Sequence, residues 1–384
     1  MPPKKIKAEI INADQIPFLY RFIVIGDIHL RRTDPLGIIG ENGLNTRLED
    51  KLSALSQAIT LAVSTQATHI CLLGDIFDAI NPSETLKRLF WECMKPAIDV
   101  GVQIRIIIGN HDRTGQMFNF SGDEPIMPTN VAMIKHDLLT ETLNLPNRKE
   151  PFSIKYIPFK SSAEIVEDLK KVSDVTLGHF EVKGAILAPD NHKLKNEIDM
   201  STVKDSLIWL GHIHKHQEFA ENFAYIGSCV QCDFAEVTEK KVFGSIDVFP
   251  DGQFTTEYHE IIQRPMHQIN IQEDDDNNMY ISENIPAHLK EAGVLIKFKL
   301  IGSPEWIKAI DKTRFKKRFP NAIRVAIDDV KLDIDRQKSD TPTTTFKMED
   351  RVHMYLSEKK KPKDYLAKGL ELAKEAHAYA EEVE

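Results

Sequence analysis

The chain has 384 residues, of which 42% are hydrophobic and 28% charged, and this composition excludes an intrinsically disordered protein. The formal net charge of −9 argues against a surface that binds nucleic acid over its whole area, although it allows a local basic patch. The sequence shows no apolar run of the roughly 20 residues that a membrane helix needs and no secretory signal at its start, so we expect a cytoplasmic protein without a membrane association.

Strand and helix patterns alternate over residues 22–264, after an N-terminal extension at residues 1–21. The segment TRLEDKLSALSQAITLAV places Leu48, Leu52 and Leu55 on one helical face, and SETLKRLFWECMKPAI and SAEIVEDLKKV are the next predicted helices. The predicted strands are RFIVIG, THICLLG, QIRIIIG, SIKYIPF, SDVTLG, SLIWLG, FAYIGS, VFGSIDVF and QFTTEYHEI. This alternation indicates an α/β domain in which helices pack against a central sheet.

A second, smaller domain is predicted at residues 265–330. There MHQINIQ, PAHLKEAG, VLIKFKLIG, EWIKAIDKTRFKKRF and AIRVAIDD follow one another as strand, helix, strand, helix and strand, which is enough for a small α+β domain. Residues 331–345 have the composition of a linker. Residues 346–384 form a predicted amphipathic helix pair, which either docks on the main body or binds a partner.

The cysteines give little sign of a metal or redox site. Four cysteines are too few to support the fold of a chain of this size through disulfides. Cys229 and Cys232 form a single CxxC in GSCVQCDF, and the sequence lacks the second pair that a zinc site normally shows. The pattern therefore favours free thiols.

Five predicted strands end in a glycine that a carboxylate, a carboxamide or an imidazole follows. The five segments are FIVIGDIHL, ICLLGDIFD, IIIGNHD, VTLGHF and LIWLGHIHK. The polar side chains at these strand ends are Asp27, His29, Asp75, Asn110, His111, Asp112, His179, His212 and His214. Because the carboxyl ends of neighbouring strands converge at one edge of such a sheet, we expect these side chains to form one site.

The chemistry of this set points to a pair of metal ions. Two aspartates, an asparagine and four histidines offer oxygen and imidazole donors without thiolate, which suits manganese, iron or zinc better than calcium. Seven donors exceed the needs of one ion, and a carboxylate such as Asp75 can bridge two ions about 3.5–4 Å apart, as in phosphate-ester hydrolysis. His111 is then a spare imidazole for acid–base chemistry, with Asp112 as a candidate orienting group.

Each of these residues taken alone has an ordinary explanation. Asp27 or Asp75 is typical of a turn or a helix cap, and Asn110 of a turn, while Asp78 and Asp112 can be cap residues as readily as groups that support the ligands. The coincidence of five such strand ends favours a functional site. The role of two cationic segments is undecided, because each can contact substrate phosphates or form a solvated surface. They are Arg31 and Arg32 after the first strand, and Lys316, Lys317 and Arg318 in the second domain.

The order Asp-x-His, Gly-Asp, Gly-Asn-His-Asp, Gly-His and Gly-His-x-His between Asp27 and His214 resembles the calcineurin-like metallophosphoesterase superfamily. GHFEVKGA, LGHIHKHQEF and YIGSCVQCDFAE are similar to the SbcD / meiotic recombination eleven type of DNA repair nuclease subunit. The resemblance implies an α/β fold of the metallophosphoesterase type, in which helices flank a β-sandwich, a small α+β capping domain that binds DNA follows, and a helix pair ends the chain. The implied ligands are Asp27, His29, Asp75 and His214 for one ion, and Asp75, Asn110, His179 and His212 for the other, with His111 at the scissile phosphate.

The resemblance also implies an activity and partners. Two divalent ions, in that family typically Mn²⁺, support exonuclease cleavage of double-stranded DNA and endonuclease cleavage of hairpins and single strands. The family works as a homodimer in bacterial or phage-infected cells with an ABC-type coiled-coil ATPase subunit, SbcC in bacteria, on which a helix pair like residues 346–384 docks.

Two other functions stay open. The same metal site can serve a phosphoesterase of small nucleotides or phosphoproteins, although a small substrate needs neither a second domain nor a helical tail. The fold can also serve as a non-catalytic scaffold, although a scaffold is expected to lose a ligand or His111, and all of these residues are present.

Overall fold

A computed structural model describes residues 18–331, apart from residues 116, 121–126, 188–191, 196–197, 274–278 and 282–292. These residues belong to one unit of the chain, Met1–Lys331, and the other unit is Leu332–Glu384. Most of the predicted N-terminal extension, the linker and the C-terminal helix pair therefore lie outside the described residues, as does nearly all of the predicted helix PAHLKEAG. The domain boundaries stay predictions.

The described chain begins with strands and helices in alternation and continues mainly with strands. The first strands are β1 (Tyr20–Ile25), β2 (His69–Leu72), β3 (Gln103–Ile107), β4 (Arg113–Thr114), β5 (Met117–Phe118), β6 (Val131–Ile134), β7 (Leu139–Leu143), β8 (Phe152–Ile157) and β9 (Val175–His179). The later strands are β10 (Ile186–Leu187), β11 (His192–Lys193), β12 (Leu207–Gly211), β13 (Gln217–Ala220), β14 (Phe223–Tyr225), β15 (Val242–Val248), β16 (Phe254–Glu260), β17 (Met266–Glu273), β18 (Met279–Ile281), β19 (Leu295–Gly302) and β20 (Arg324–Lys331). The helices are α1 (Thr46–Ser64), α2 (Glu84–Asp99), α3 (Ser162–Leu169), α4 (Pro304–Ala309) and α5 (Thr313–Arg318), with 3₁₀ turns at Met200–Thr202 and Phe234–Glu236.

Two six-stranded sheets contain most of these strands. The first sheet has the order β16-β15-β1-β2-β3-β6, in which β1, β2, β3 and β6 are parallel. The second has the order β13-β14-β12-β9-β8-β7, in which β14, β12, β9 and β8 are parallel. Both sheets therefore have a parallel centre, and polar residues that follow their strands lie at the carboxyl ends of that centre.

The two sheets pack face to face. Phe22 and Val24 of β1 lie in a buried apolar cluster with Tyr156 and Trp209 of the second sheet. The alternate residues of β1 instead join the cluster that α1 and α2 form on the outer side. Because successive side chains of a strand point to opposite faces, β1 is buried on both sides and is apolar throughout RFIVIG after its first residue.

Helices cover the outer faces of the sandwich. Helix α1 begins at the side chain of Asn45, which accepts a hydrogen bond of 2.9 Å from the Arg47 amide, and buries Ala54, Leu55 and Ala58 against the first sheet. Helix α3 begins with a capping box between Ser161 and Glu164 and packs on the second sheet. The predicted metallophosphoesterase-type β-sandwich flanked by helices is confirmed, and no helix in the described ranges is long and apolar enough to cross a membrane.

The region after Pro265 contains a separate four-stranded sheet with the order β18-β17-β19-β20. Phe298, Trp306 and Phe319 lie in its apolar core together with α4 and α5. The prediction of one helix in EWIKAIDKTRFKKRF was wrong, because the segment forms two short helices. Ile310 has an extended backbone with ψ of 124°, and the Asp311 carboxylate accepts a hydrogen bond of 3.0 Å from the Thr313 amide, which starts a new helix instead of continuing the first.

Candidate metal centre

The polar strand ends predicted from the sequence come from both sheets and meet at one edge of the sandwich. Asp27 and His29 follow β1, Asp75 follows β2, and Asn110 and His111 follow β3. From the second sheet, His179 is the last residue of β9, and His212 and His214 follow β12. The seven predicted ligands form two adjoining groups.

The first group contains Asp27, His29 and His214, whose ligand atoms lie within 4.8 Å of one another. The Nε2 atoms of His29 and His214 are 3.0 Å apart, and Nε2 of His214 is 3.9 Å from Oδ2 of Asp27. Nε2 of His29 is also 3.5 Å from Oδ2 of Asp75. These four residues are the ones that the resemblance implies for one ion.

The second group contains Asp75, His179 and His212, with Asn110 beside them. Oδ1 of Asn110 is 3.0 Å from Nε2 of His179 and 2.8 Å from Nδ1 of His212. Oδ2 of Asp75 is 3.5 Å from Nε2 of His179, the same distance as from His29 of the first group. Asp75 is therefore placed between the two groups, as a bridging carboxylate would be.

The donors of both groups fit divalent cations. Asp27 is fully buried and Asp75 is 2% exposed, and their ion pairs among the described residues are with imidazoles and not with lysine or arginine. Buried carboxylates need a positive partner, and imidazole nitrogens that converge with carboxylate oxygens form the donor set of Mn²⁺, Fe²⁺ or Zn²⁺. The buried carboxylates of this cluster therefore require a positively charged partner, which a divalent cation would provide.

Hydrogen bonds fix the imidazole of His179 in the orientation that a ligand needs. Its Nδ1 donates to the carbonyl oxygen of Leu73 at 2.7 Å, which leaves Nε2 directed at the second group. Burial lowers the pKa of His179, but Asp75 and Asp27 outweigh this effect and raise the pKa to about 9. The carboxylates thus favour a cation at the position that Nε2 faces.

The backbone at the site adopts conformations that side chains rarely tolerate. His29, Asp75 and His212 have φ values of 50°, 49° and 89°, in the left-handed region. Such residues persist only where the surrounding structure holds them, and they concentrate at functional sites. Close packing requires a glycine at position 109, because a Cβ there would lie 2.1 Å from Oδ1 of Asp75.

Comparison with known proteins gives a family for this fold and site. Residues 20–216, just over half of the chain, match the profile of the calcineurin-like phosphoesterases. The chain belongs to the calcineurin-like phosphoesterase family. Membership supports a metal-dependent phosphoester hydrolase, and the two donor groups are its candidate metal-binding residues.

Individual relatives cover only part of this calcineurin-like phosphoesterase or resemble it distantly. It is 27% identical over 143 residues to the SbcD component of the SbcCD nuclease of Bacillus subtilis, which is 36% of this chain and 36% of the relative. A dimetal phosphatase from Danio rerio has 11% identity and a TM-score of 0.42, and covers 64% of this chain and 98% of its own. The NAD nucleotidase of Haemophilus influenzae has 12% identity and a TM-score of 0.33, and covers 81% of this chain and 57% of its own.

His111 lies at the solvent side of the first group. Its amide donates a hydrogen bond of 2.9 Å to Oδ1 of Asp75, and its ring meets the ring of His29 edge to face with 4.9 Å between centroids. The imidazole is exposed, and its ligand atom lies within 4.8 Å of those of His29 and Asp78. It is thus free to contact a phosphate that lies over the metal groups.

The side chain of Asp112 turns inward and caps backbone amides, which is the capping role, one of the two alternatives left open for it. Its carboxylate is fully buried, and we find no contact between it and the His111 imidazole among the described residues. It accepts hydrogen bonds of 2.7–3.3 Å from the amides of Ile76, Phe77 and Gly109 and from the side chain of Asn119. Burial and the nearby Asp75 raise its pKa to about 7. Asp112 therefore ties the loop after β2 to the loop after β3, and Asp78 is the carboxylate closer to His111.

The cations predicted to contact DNA lie within the described residues. Nε of Arg31 donates to Asp34 at 3.0 Å, and its Nη1 is 3.3 Å from Asp78, so its guanidinium is held close to the first group. Arg32 is exposed. The cations at the end of α5 are also exposed, and they are Lys316, Lys317 and Arg318. Their contact with DNA stays a prediction.

Two carboxylates behind the donor groups escaped the sequence analysis. Oε1 of Glu181 is 2.9 Å from Nε2 of His212, and Oε1 of Glu236 is 3.6 Å from Nδ1 of His214. Glu181 stands two residues after His179, a spacing that places both on the same side of an extended chain and could have revealed it. Glu236 lies in a distant 3₁₀ turn, and no motif in the sequence connects it to His214.

The two cysteines of the CxxC are free thiols, as the sequence favoured. Burial raises the pKa of the Cys229 thiol to about 12. Cys232 is half-buried, and its sulfur lies within 4.8 Å of the ligand atoms of His214 and Glu236. Cys232 therefore lies beside the first group, and the two thiols are not paired with each other.

Proposed function

We propose that this protein is the nuclease component of an SbcC–SbcD-like DNA repair and recombination complex, and that it hydrolyses DNA phosphodiesters with two Mn²⁺ ions. The observation that carries the proposal is the pair of donor groups that share Asp75. The substrate class is taken from the similarity to the SbcD component of the SbcCD nuclease of Bacillus subtilis.

In this proposal Asp27, His29, Asp75 and His214 hold one ion, and Asp75, Asn110, His179 and His212 hold the other. Two ions in such a site activate a water and stabilise the charge that develops on the phosphate. The chain supplies the rest of the machinery around them. Leu73 orients the imidazole of His179, because its carbonyl oxygen accepts a hydrogen bond from Nδ1 of that ring. Glu181 orients the imidazole of His212, because its carboxylate lies 2.9 Å from Nε2 of that ring. Both ring nitrogens face away from the second donor group.

His111 is the proposed catalytic imidazole. The hydrogen bond from its amide to Asp75 fixes the start of its loop, while the exposed ring is able to contact a non-bridging oxygen or to protonate the leaving oxygen. Asp112 acts as a positioning residue, because its hydrogen bonds hold the backbone of both metal loops. Arg31 is the proposed contact to a phosphate of the substrate strand, because its guanidinium lies beside the site, and there the phosphate would replace its ion pairs with Asp34 and Asp78.

The proposed partners are double- and single-stranded DNA, an SbcC-like ABC-type ATPase with coiled coils, and a second copy of the chain, all in the cytoplasm. Lys316, Lys317 and Arg318 would contact the DNA backbone, and residues 346–384 would dock on the ATPase. Loss of co-purification with the ATPase in a chain that ends before Phe346, with nuclease activity retained, is the expected result for that docking role. Retained co-purification would contradict it.

The decisive experiment for the nuclease measures nucleotide release from linear duplex DNA with added Mn²⁺, with and without excess chelator. We expect His111→Ala to lower kcat by roughly 10²–10⁴-fold, the range of general acid–base catalysis, while bound manganese per chain stays the same. His192→Ala is a matched control, because this exposed histidine of β11 lies outside the two donor groups.

Bis-(p-nitrophenyl) phosphate distinguishes the alternative function. Hydrolysis of this small diester with DNA left intact, even after the ATPase partner is added, would favour a phosphoesterase of small nucleotides or phosphoproteins. Failure to hydrolyse either substrate with Mn²⁺ bound would favour the scaffold.

A further inference from the structure

A pocket of about 630 Å³ opens directly beside the second donor group. His212 forms part of its wall, so the cavity begins at the metal centre and extends away from it. Its floor is apolar, with the buried side chains of Ile165, Phe180 and Ile198. The volume lies within the range of pockets that hold small organic ligands, and a phosphate alone would leave most of it empty.

Phe159 provides a flat aromatic surface in this pocket. Its ring stacks on the ring of His212 with 5.7 Å between centroids and an angle of 28° between planes, and it is only half-buried. The main chain of Phe159 is held on both sides, because its amide donates to Ile108 at 2.9 Å and its carbonyl oxygen accepts from Nη1 of Arg113 at 2.9 Å. A rigid ring with an open side is the usual platform for a nucleobase.

The pocket lining contains three carboxylates, Asp137, Glu164 and Glu181, and two cations, of which one is available for a phosphate. Lys160 is paired with Asp168 at 2.5 Å and is not available. Arg113 donates to the carbonyl oxygens of Phe159 and Gly115, and within the described ranges no carboxylate forms an ion pair with it. Its guanidinium therefore keeps its charge for a ligand while it anchors the platform.

Polar groups at the rim complete the site. Ser162 has an exposed hydroxyl at the start of α3, three residues after Phe159, whereas the hydroxyl of Ser161 is used in the capping box with Glu164. A nucleoside presents a flat base, a polar sugar and a flanking phosphate. These groups can contact the ring of Phe159, the hydroxyl of Ser162 and the guanidinium of Arg113. A peptide would use the apolar floor but has no general need for an aromatic platform beside the metal ions.

We propose that this pocket binds one nucleoside of the substrate, adjacent to the scissile phosphate. Its base stacks on Phe159, and the next phosphate along the strand contacts Arg113. This inference rests on the proposed phosphodiesterase activity and adds a subsite to it. Because stacking uses the face of the base, the subsite tolerates all four bases.

The test compares three diesters that share one leaving group: the p-nitrophenyl esters of thymidine 5′-phosphate, thymidine 3′-phosphate and methyl phosphate. We expect the wild type with Mn²⁺ to show a higher kcat/KM for a thymidine ester than for the methyl ester. The preferred isomer also reports on which side of the scissile bond the pocket lies. Phe159→Leu should reduce this ratio by roughly 5- to 150-fold, which corresponds to the stacking free energy of about 1–3 kcal/mol per base.

Two further variants separate stacking from damage to the fold. Phe159→Tyr keeps an aromatic ring on His212 and should keep the ratio, whereas Phe159→Leu keeps apolar contact and loses the flat ring. Phe219→Ala is the matched control outside the pocket, because this residue is 38% exposed and stacks on Phe223 in another part of the second sheet. It should leave the ratio unchanged.

The outcomes are distinct for the subsite and for the proposed function. Equal kcat/KM for the thymidine and methyl esters in the wild type would overturn the subsite and leave the phosphodiesterase intact. The same fall of the ratio in Phe159→Tyr or in Phe219→Ala would also overturn it. Absence of hydrolysis for all three esters and for DNA would overturn the proposed function, and the subsite with it.

Discussion

Lys241 is a fully buried cation whose contacts reach the metal centre. Its Nζ lies 2.7 Å from Glu236, 2.8 Å from Glu239 and 3.0 Å from the carbonyl oxygen of His214. Glu236 directs its other oxygen at the imidazole of His214. Burial raises the pKa of Glu236, but His214 and Lys241 outweigh this effect and hold the pKa at about 2. Glu236 is therefore a charged carboxylate that orients a proposed ligand.

Glu236→Gln should weaken Mn²⁺ binding by about 10- to 100-fold, because a partner behind a metal-bound imidazole tunes its orientation and basicity. Equilibrium dialysis or calorimetric titration with Mn²⁺ measures the change. Glu239→Gln removes the other carboxylate from Lys241 without a described contact to His214, and should leave the affinity close to that of the wild type. Equal losses in both variants would assign the effect to the burial of Lys241 rather than to His214.

The sequence predicted those residues of the site that belong to a short local motif. A glycine followed by Asp75 or by Asn110 and His111 is visible in a single stretch, and the structure brings these residues together. Asp112 shows the limit of that reasoning, because adjacency in the chain suggested contact with His111. Its side chain instead turns inward to backbone amides, and neighbouring residues often point in opposite directions.

At the scale of elements, Glu141 of β7 joins the two sheets of the sandwich. Its carboxylate accepts hydrogen bonds from Nη2 and Nε of Arg105 in β3 at 2.7 and 3.0 Å, and lies 3.3 Å from His69 in β2. The hydroxyl of Tyr156 in β8 donates to it at 3.1 Å. Burial raises the pKa of Glu141, but His69 and Arg105 outweigh this effect and hold the pKa at about 2.

Glu141→Gln should lower the free energy of unfolding by about 1–2 kcal/mol at pH 7, a partly screened loss of charged hydrogen bonds. The ordinary pKa of Glu141 is 4.5 and the folded one about 2, so the stabilisation is fully present above pH 4.5 and is lost as the pH falls towards 2. Urea unfolding of both proteins at several pH values measures this. Glu257→Gln, whose side chain is 73% exposed, is the control. A difference that does not shrink in acid would contradict the role of the charge.

The elements that sequence patterns missed are short and depend on their neighbours. Strands β6 (Val131–Ile134) and β13 (Gln217–Ala220) have four residues each, mostly half-buried or exposed, so neither has a strong apolar pattern. They exist because β3 and β14 offer them hydrogen bonds. Helices α1 and α2, which bury a regular apolar face, were predicted within about a residue of their bounds.

At the scale of the whole molecule, the division of the site between two sheets could not be read from the alternation of elements. That pattern predicts a central sheet, whereas His179, His212 and His214 belong to the second sheet and Asp27, His29 and Asp75 to the first. Only the family resemblance implied the sandwich. The contacts between His179 and Asp75 thus link the two sheets at the proposed metal site.

Metal ions held between two sheets should stabilise the folded chain. Because an ion that binds the folded state alone adds RT ln(1 + [ion]/Kd), Mn²⁺ at 100 times its Kd should add about 2.7 kcal/mol and raise Tm by roughly 3–4 °C over the chelated protein. Differential scanning calorimetry at increasing Mn²⁺ measures this. His179→Gln should lose most of the shift, and His192→Gln, at an exposed position of β11, should keep it. An equal rise of Tm in His179→Gln would contradict the proposed ligand set. The second ion would then bind without His179, whose Nε2 lies 3.0 Å from Oδ1 of Asn110 and 3.5 Å from Oδ2 of Asp75.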